Sequence, residues 1–178
     1  MKNNFKYIVL FVICLTELQM IAQIKGECEQ FESIIKYLEN DSTASDYFKT
    51  KNVRFKINPK VDENKGTPFL ITEYYSDKMD LSEEQIKSDT SILYSIYREN
   101  QNHLLKTDST YKLSCLQELN TKRPNVYMGF SRLDSFAISV GTSKILKRKR
   151  KHTFGKYYIF LFDKENMIRK ILQTDWIE

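Results

Sequence analysis

Seven basic side chains, Lys144, Lys147, Arg148, Lys149, Arg150, Lys151 and Lys156, fall within thirteen residues, with His152 among them. The chemistry open to such a run is electrostatic. It neutralises phosphate, sulfate or carboxylate groups and steers anionic partners without sequence readout. The whole chain has 28 basic and 23 acidic side chains, a net charge of +5, so this one segment outweighs the net balance. The protein is therefore a near-neutral domain with one basic stretch. An acidic protein or an anionic envelope component, such as a lipid headgroup or an acidic polysaccharide, is the partner this stretch would meet. A solvated loop that keeps neighbouring strand edges soluble would use the same residues.

Other candidate chemistry is sparse. His103 follows Glu99 by four residues, so one helical face can present both, but no third ligand falls at metal-site spacing. Gly26, Gly66, Gly129, Gly141 and Gly155 are isolated from one another, which leaves out phosphate loops, dinucleotide fingerprints and nucleophile elbows. No catalytic residue, metal site or cofactor is assigned. The tyrosines, among them Tyr74, Tyr75, Tyr94, Tyr97, Tyr127, Tyr157 and Tyr158, either build the core or line a sheet face that holds a sugar or an apolar ligand.

The N-terminus places these residues in a compartment. Met1 to Lys6 contains two lysines, Tyr7 to Leu15 is an unbroken apolar run, and Ala22 is a small residue at a suitable distance. That order is the one of a secretory signal peptide. The run is too short to span a bilayer, and no later segment is longer. Cleavage after Ala22 removes Lys2, Lys6 and Glu17 and leaves residues 23–178 as a single domain of net charge +4. The rival site is lipidation at Cys14, against which the bulky Ile13 counts. Export leaves Cys28 and Cys115 as an even pair in an oxidising compartment, and a disulfide between them would close a long loop.

The elements that must position these groups follow from periodicity. Phe31, Ile34, Ile35 and Leu38 have helical spacing, which predicts a helix over Glu27 to Glu39, followed by a short turn of helix around Ala44 to Phe48. Val53, Phe55 and Ile57 alternate as a strand that Pro59 stops, and Phe69 to Tyr75 reads as a second strand. Asp80 and Glu83 form a candidate capping box opening a helix with Ile86 inside, and Ser91 to Arg98 is read as a further helix. Strands are expected at Tyr111 to Leu116, Asn125 to Ser131, Phe136 to Val140, Lys156 to Phe162 and Met167 to Ile177.

Helices in front of strands argue for an α+β domain, with the helices on one face of a curved antiparallel sheet. The closing hairpin, Lys156 to Ile177, resembles the last strands of cone-shaped nuclear-transport-factor-like and cystatin-like rolls. The functional expectation is an exported bacterial envelope protein, a non-enzymatic binding or interaction domain using the basic hairpin loop. A small-ligand or hydrolytic enzyme with a pocket in the curved sheet is the first alternative. A cytoplasmic nucleic-acid binder is the second, and it requires that the N-terminus not be a signal.

Overall fold

The computed structural model describes residues 27–63, 66–104, 110–146 and 154–177. Helix α1 spans 27–40, and α2 follows at Ser42–Tyr47, capped by Asp41, whose carboxylate accepts from the Thr43 N–H at 2.9 Å. Next come β1 (Phe55–Glu63), α3 (Ile71–Met79), α4 (Glu83–Ser88), α5 (Thr90–Leu104), β2 (Thr110–Lys112) and α6 (Ser114–Glu118). The chain ends in β3 (Val126–Asp134), β4 (Ala137–Lys144), β5 (Phe154–Phe162) and β6 (Ile168–Ile177). The strands form one sheet in the order β2-β1-β3-β4-β5-β6. The α+β architecture is the one the sequence leads to.

Two features depart from the expected antiparallel sheet with helices on one face. β1 and β3 run parallel while every other pair is antiparallel, so the sheet is mixed. Helices also lie on both of its faces. In β5, Tyr158, Phe160 and Phe162 join a core with Phe31, Ile34, Ile35 and Leu38 of α1. The alternate residues Tyr157, Ile159 and Leu161 join a second core with Tyr74 and Tyr75 of α3, Ile86 of α4 and Ile96 of α5. Because successive strand side chains point to opposite faces, β5 is buried on both sides, and its sequence YYIFLF is apolar without alternation. The Tyr158 hydroxyl is enclosed on the α1 side with no hydrogen-bond partner among the described residues.

Four local readings are corrected. Pro59 does not stop β1. The register against β3 shifts between Ile57 and Val61, a bulge that accommodates a residue with no N–H to give, and the Pro59 carbonyl accepts from Leu113 N–H at 3.2 Å. Residues 71–79 are a helix, not the continuation of a strand. Ile71, Tyr74 and Tyr75 stand at i, i+3 and i+4, so one helical face delivers all three to the second core, and this packing overrides aromatic β propensity. The capping box sits two residues later than expected. Ser82 accepts from Gln85 N–H at 3.1 Å while the Gln85 side chain accepts from Ser82 N–H at 2.8 Å, and Asp80 instead ends α3 in a left-handed conformation at φ 54°. Finally, the strand expected to reach Leu116 is only three residues long, after which α6 turns Leu116 into the first core.

Cys28 of α1 and Cys115 of α6 are joined by a disulfide, with Cα atoms 6.3 Å apart and a sequence separation of 87. Beside it, Arg132 of β3 pairs with Glu27 at 3.1 Å, and Tyr111 of β2 donates to the same carboxylate at 3.1 Å. These contacts seat α1 across the sheet. On the opposite face Asp77 of α3 receives Arg169 and Lys170 of β6. The Arg169 hydrogen bond is the main cause holding the Asp77 carboxyl below the usual carboxylate range. No helix of the described residues is long and apolar enough to cross a membrane. Residues 1–22, with the expected signal segment and Cys14, lie outside the described residues.

A disulfide closing so long a loop should stabilise the fold by about 4 kcal/mol in the chain-entropy description. Urea unfolding with and without a phosphine reductant measures it. Loss of about 2–5 kcal/mol on reduction is expected, and an unchanged midpoint would show that the bridge carries no load.

Candidate functional site

The second helical layer covers only part of its face. Helices α3, α4 and α5 pack over β5 and β6, and reach β3 and β4 only at Leu133 and Ala137, next to the turn that joins them. Away from that turn no helix of the described residues covers the face. There the strands present Gly129 and Ser131 from β3 and Ser139, Gly141 and Ser143 from β4 as the floor of a groove of about 420 Å³. The register aligns them. Gly129 faces Gly141, and Ser131 faces Ser139. Large residues bound the floor. One cross-strand row reads Tyr127, Ser143, Gly155 and Trp176, and the next reads Gly129, Gly141, Tyr157 and Thr174.

The wall on the helical side is pinned by a buried amide. Asn100 of α5 accepts from Thr67 N–H at 2.9 Å and donates to the Thr67 carbonyl at 2.8 Å. This pair of hydrogen bonds satisfies both backbone groups of a buried loop residue. It holds Gly66 and Pro68 at the rim with Leu104. Tyr157 is buried at the corner, its hydroxyl engaged with Ser139 and Thr67, and burial pushes its pKa up. On the far side, β1 supplies Asn58, Lys60 and Asp62.

The glycines of this face divide by what a side chain would meet. At Gly155 a Cβ would lie 1.8 Å from the Thr142 carbonyl oxygen and 2.6 Å from Trp176 Cζ2, so close packing of the indole requires glycine there. At Gly141 a Cβ would meet nothing within 4 Å, and at Gly129 only Tyr127 Cε1 at 3.9 Å. Neither residue has a positive φ. Glycine inside a strand weakens it, and the usual reasons are a bulge or the close approach of a ligand or another backbone. The β3–β4 pairing is regular through both positions, its one irregularity falling between Arg132 and Asp134. What remains for Gly129 and Gly141 is depth.

The expected basic site is only partly described. Lys156 is 9% exposed, bonded to Asp175 at 3.0 Å and seated 4.7 Å from the Tyr47 ring centroid. Lys144 donates to the Phe48 carbonyl and lies over the Phe154 ring. Both side chains are thus engaged within the fold, on the α2 side of the sheet. Lys147, Arg148, Lys149, Arg150 and Lys151 lie outside the described residues. In sequence they belong to the connection between β4 and β5.

The titratable groups on the helical side are consumed in pairs. Tyr74 donates to Asp134 at 2.6 Å, and Tyr75 is hydrogen-bonded to Glu99. Burial first, then the carboxylate partners, raise both tyrosine pKa values, so the hydroxyls stay protonated as donors. His103 Nε2 stands 3.9 Å from Glu99 on the same helix. Among the described residues no group of three His, Cys, Asp or Glu is placed to hold a metal ion. The tyrosines divide between the cores and the open face of the sheet. Tyr74, Tyr75 and Tyr158 build cores, while Tyr127 stands 39% exposed at the groove.

No family model, curated protein or solved structure matches the chain.

The two glycine environments predict opposite stability changes. Gly141→Ala should leave stability unchanged or raise it by about 0.5–1 kcal/mol, the strand penalty of glycine. Gly155→Ala should cost about 1–3 kcal/mol by overpacking. Thermal unfolding of the two variants measures this, and destabilisation by Gly141→Ala comparable to Gly155→Ala would mean that the groove floor is set by packing instead.

Proposed function

We propose that the protein is an exported, non-enzymatic binding domain that holds an anionic component of the cell envelope in the open groove of its sheet, with the basic run of residues 147–151 adding electrostatic attraction. The observation that carries this reading is the glycine pair at the floor. Gly129 and Gly141 keep a cavity of about 420 Å³ open where an alanine Cβ would fit without a clash, and a ligand is the physical reason for such depth.

Three further features support the reading. The Cys28–Cys115 disulfide suits an oxidising compartment, as does the signal-type order of residues 1–22. The polar groups lining the groove are mostly hydroxyls, with one cation and one carboxylate at the β1 rim, a set that orients a ligand more readily than it transforms one. On the neighbouring helices, Asp134 and Glu99 serve as acceptors for buried tyrosines, which removes two carboxylates from acid–base work. The five cations of residues 147–151 then supply long-range attraction and a salt-dependent share of affinity.

Co-sedimentation of the purified protein with washed envelopes of its host measures the binding. Reversing the charge of Lys147, Arg148, Lys149, Arg150 and Lys151 to Glu should weaken it at least about tenfold at low salt, with circular dichroism unchanged. Undiminished binding by the charge-reversed protein would contradict the electrostatic role.

A further inference from the structure

We infer that the ligand of the groove is a carbohydrate chain lying across the strands; this rests on the groove being the binding site. The argument begins with the two aromatic residues at either end of one cross-strand row. Trp176 of β6 presses its indole against the backbone of Gly155, since a Cβ there would come within 2.6 Å of Cζ2 and 2.7 Å of Cε2. Tyr127 of β3 leans toward Gly129, its Cε1 3.9 Å from where a Cβ would be. Each ring thus backs onto a residue without a side chain. Their strands, β3 and β6, stand three strand spacings apart, about 14 Å, with Ser143 and Gly155 between them in register and the indole reaching over Gly155.

A ligand for this surface must offer apolar faces at two places and hydrogen-bonding groups between them. A pyranose ring does so, because its axial C–H bonds gather on a face that packs on the negative face of an aromatic ring, while its hydroxyls project from the edge. Ser131 and Ser143 offer hydroxyls that both donate and accept, and Asn58 adds an amide at the rim. This is the complement of a polyhydroxylated chain. Other classes fit less well. A purely apolar ligand would desolvate the serines without replacing their hydrogen bonds. An extended peptide is recognised through free backbone groups at a sheet edge, whereas β3 and β4 are paired on both sides.

The test uses the full protein and host envelopes prepared in three ways: untreated, oxidised with periodate to cleave vicinal diols, and digested with a broad protease. Binding of the wild type, of Gly141→Val and of Tyr127→Ala is measured to each. Gly141→Val fills the floor at a position with open space, and Tyr127→Ala removes a platform at an exposed site, so the second variant keeps the test valid if the first misfolds. Periodate should lower wild-type binding at least tenfold, protease should leave it intact, and each variant should bind untreated envelopes at least tenfold more weakly at an unfolding temperature no lower than about that of the wild type. If the variants lose binding but periodate has no effect, the ligand is not a carbohydrate and the groove stands. If folded variants bind as the wild type does, or the wild type binds no envelope, the groove itself is refuted as the site.

Discussion

The structure depends on the burial of one strand from both sides. β5 places Tyr158, Phe160 and Phe162 against α1 and Tyr157, Ile159 and Leu161 against α3, α4 and α5. Burying each such side chain stabilises the fold by about 1.5–3 kcal/mol, so both helical layers must stay in place. The layers differ in extent. On one side the core runs from β1 to β5 beneath α1 and α2, and the disulfide ties α1 to the segment after β2. On the other, the helices sit over β5 and β6 and touch the remainder only near the β3–β4 turn. The groove is what this unequal cover leaves exposed. The Asn100–Thr67 hydrogen bonds fix its helical wall, and the small residues of β3 and β4 set its depth.

That layout also accounts for the chemistry. Charged and phenolic groups near the helices are tied to one another: Asp77 to Arg169 and Lys170, Asp134 to Tyr74, Glu99 to Tyr75. These pairs join α3 to β6, to the end of β3 and to α5. The groove, by contrast, is lined mainly by hydroxyls, flat rings and residues without side chains, with Lys60 and Asp62 at its β1 rim. Gly155 marks the border between packed and open sheet, since it serves the packing of Trp176 while a Cβ at the neighbouring Gly141 would meet nothing within 4 Å.

Much of the fold was legible because its signals are periodic. Helix α1, the strands of the β3–β4 and β5–β6 hairpins and their turns follow from spacing alone, and Cys28 and Cys115 are the pair that export would leave. Errors arose where a local rule met a tertiary demand. Pro59 stops a strand by rule but sits in a bulge. Tyr74 and Tyr75 favour strands by type, yet their i+3 and i+4 spacing from Ile71 is what the second core uses. The expectation of one helical face took no account of β5, whose unbroken apolar run already required cover on both sides. The groove left a fainter trace. Gly129 and Ser131, then Ser139, Gly141 and Ser143, alternate with Met128, Phe130, Ile138 and Val140, a small-out, large-in pattern that becomes meaningful only when register sets the small residues side by side. The basic run, conspicuous in sequence, contributes Lys144 and Lys156 to the opposite face.

Trp176 is the sole tryptophan of the chain and lines the groove, so its emission reports occupancy directly. The measurement is a fluorescence titration of the protein with oligosaccharides released from host envelopes. Occupation of the groove predicts a saturable change in Trp176 emission that is absent in folded Gly141→Val. Binding detected by calorimetry with no change in Trp176 emission, or an identical response from the variant, would contradict a ligand seated on the open face of the sheet.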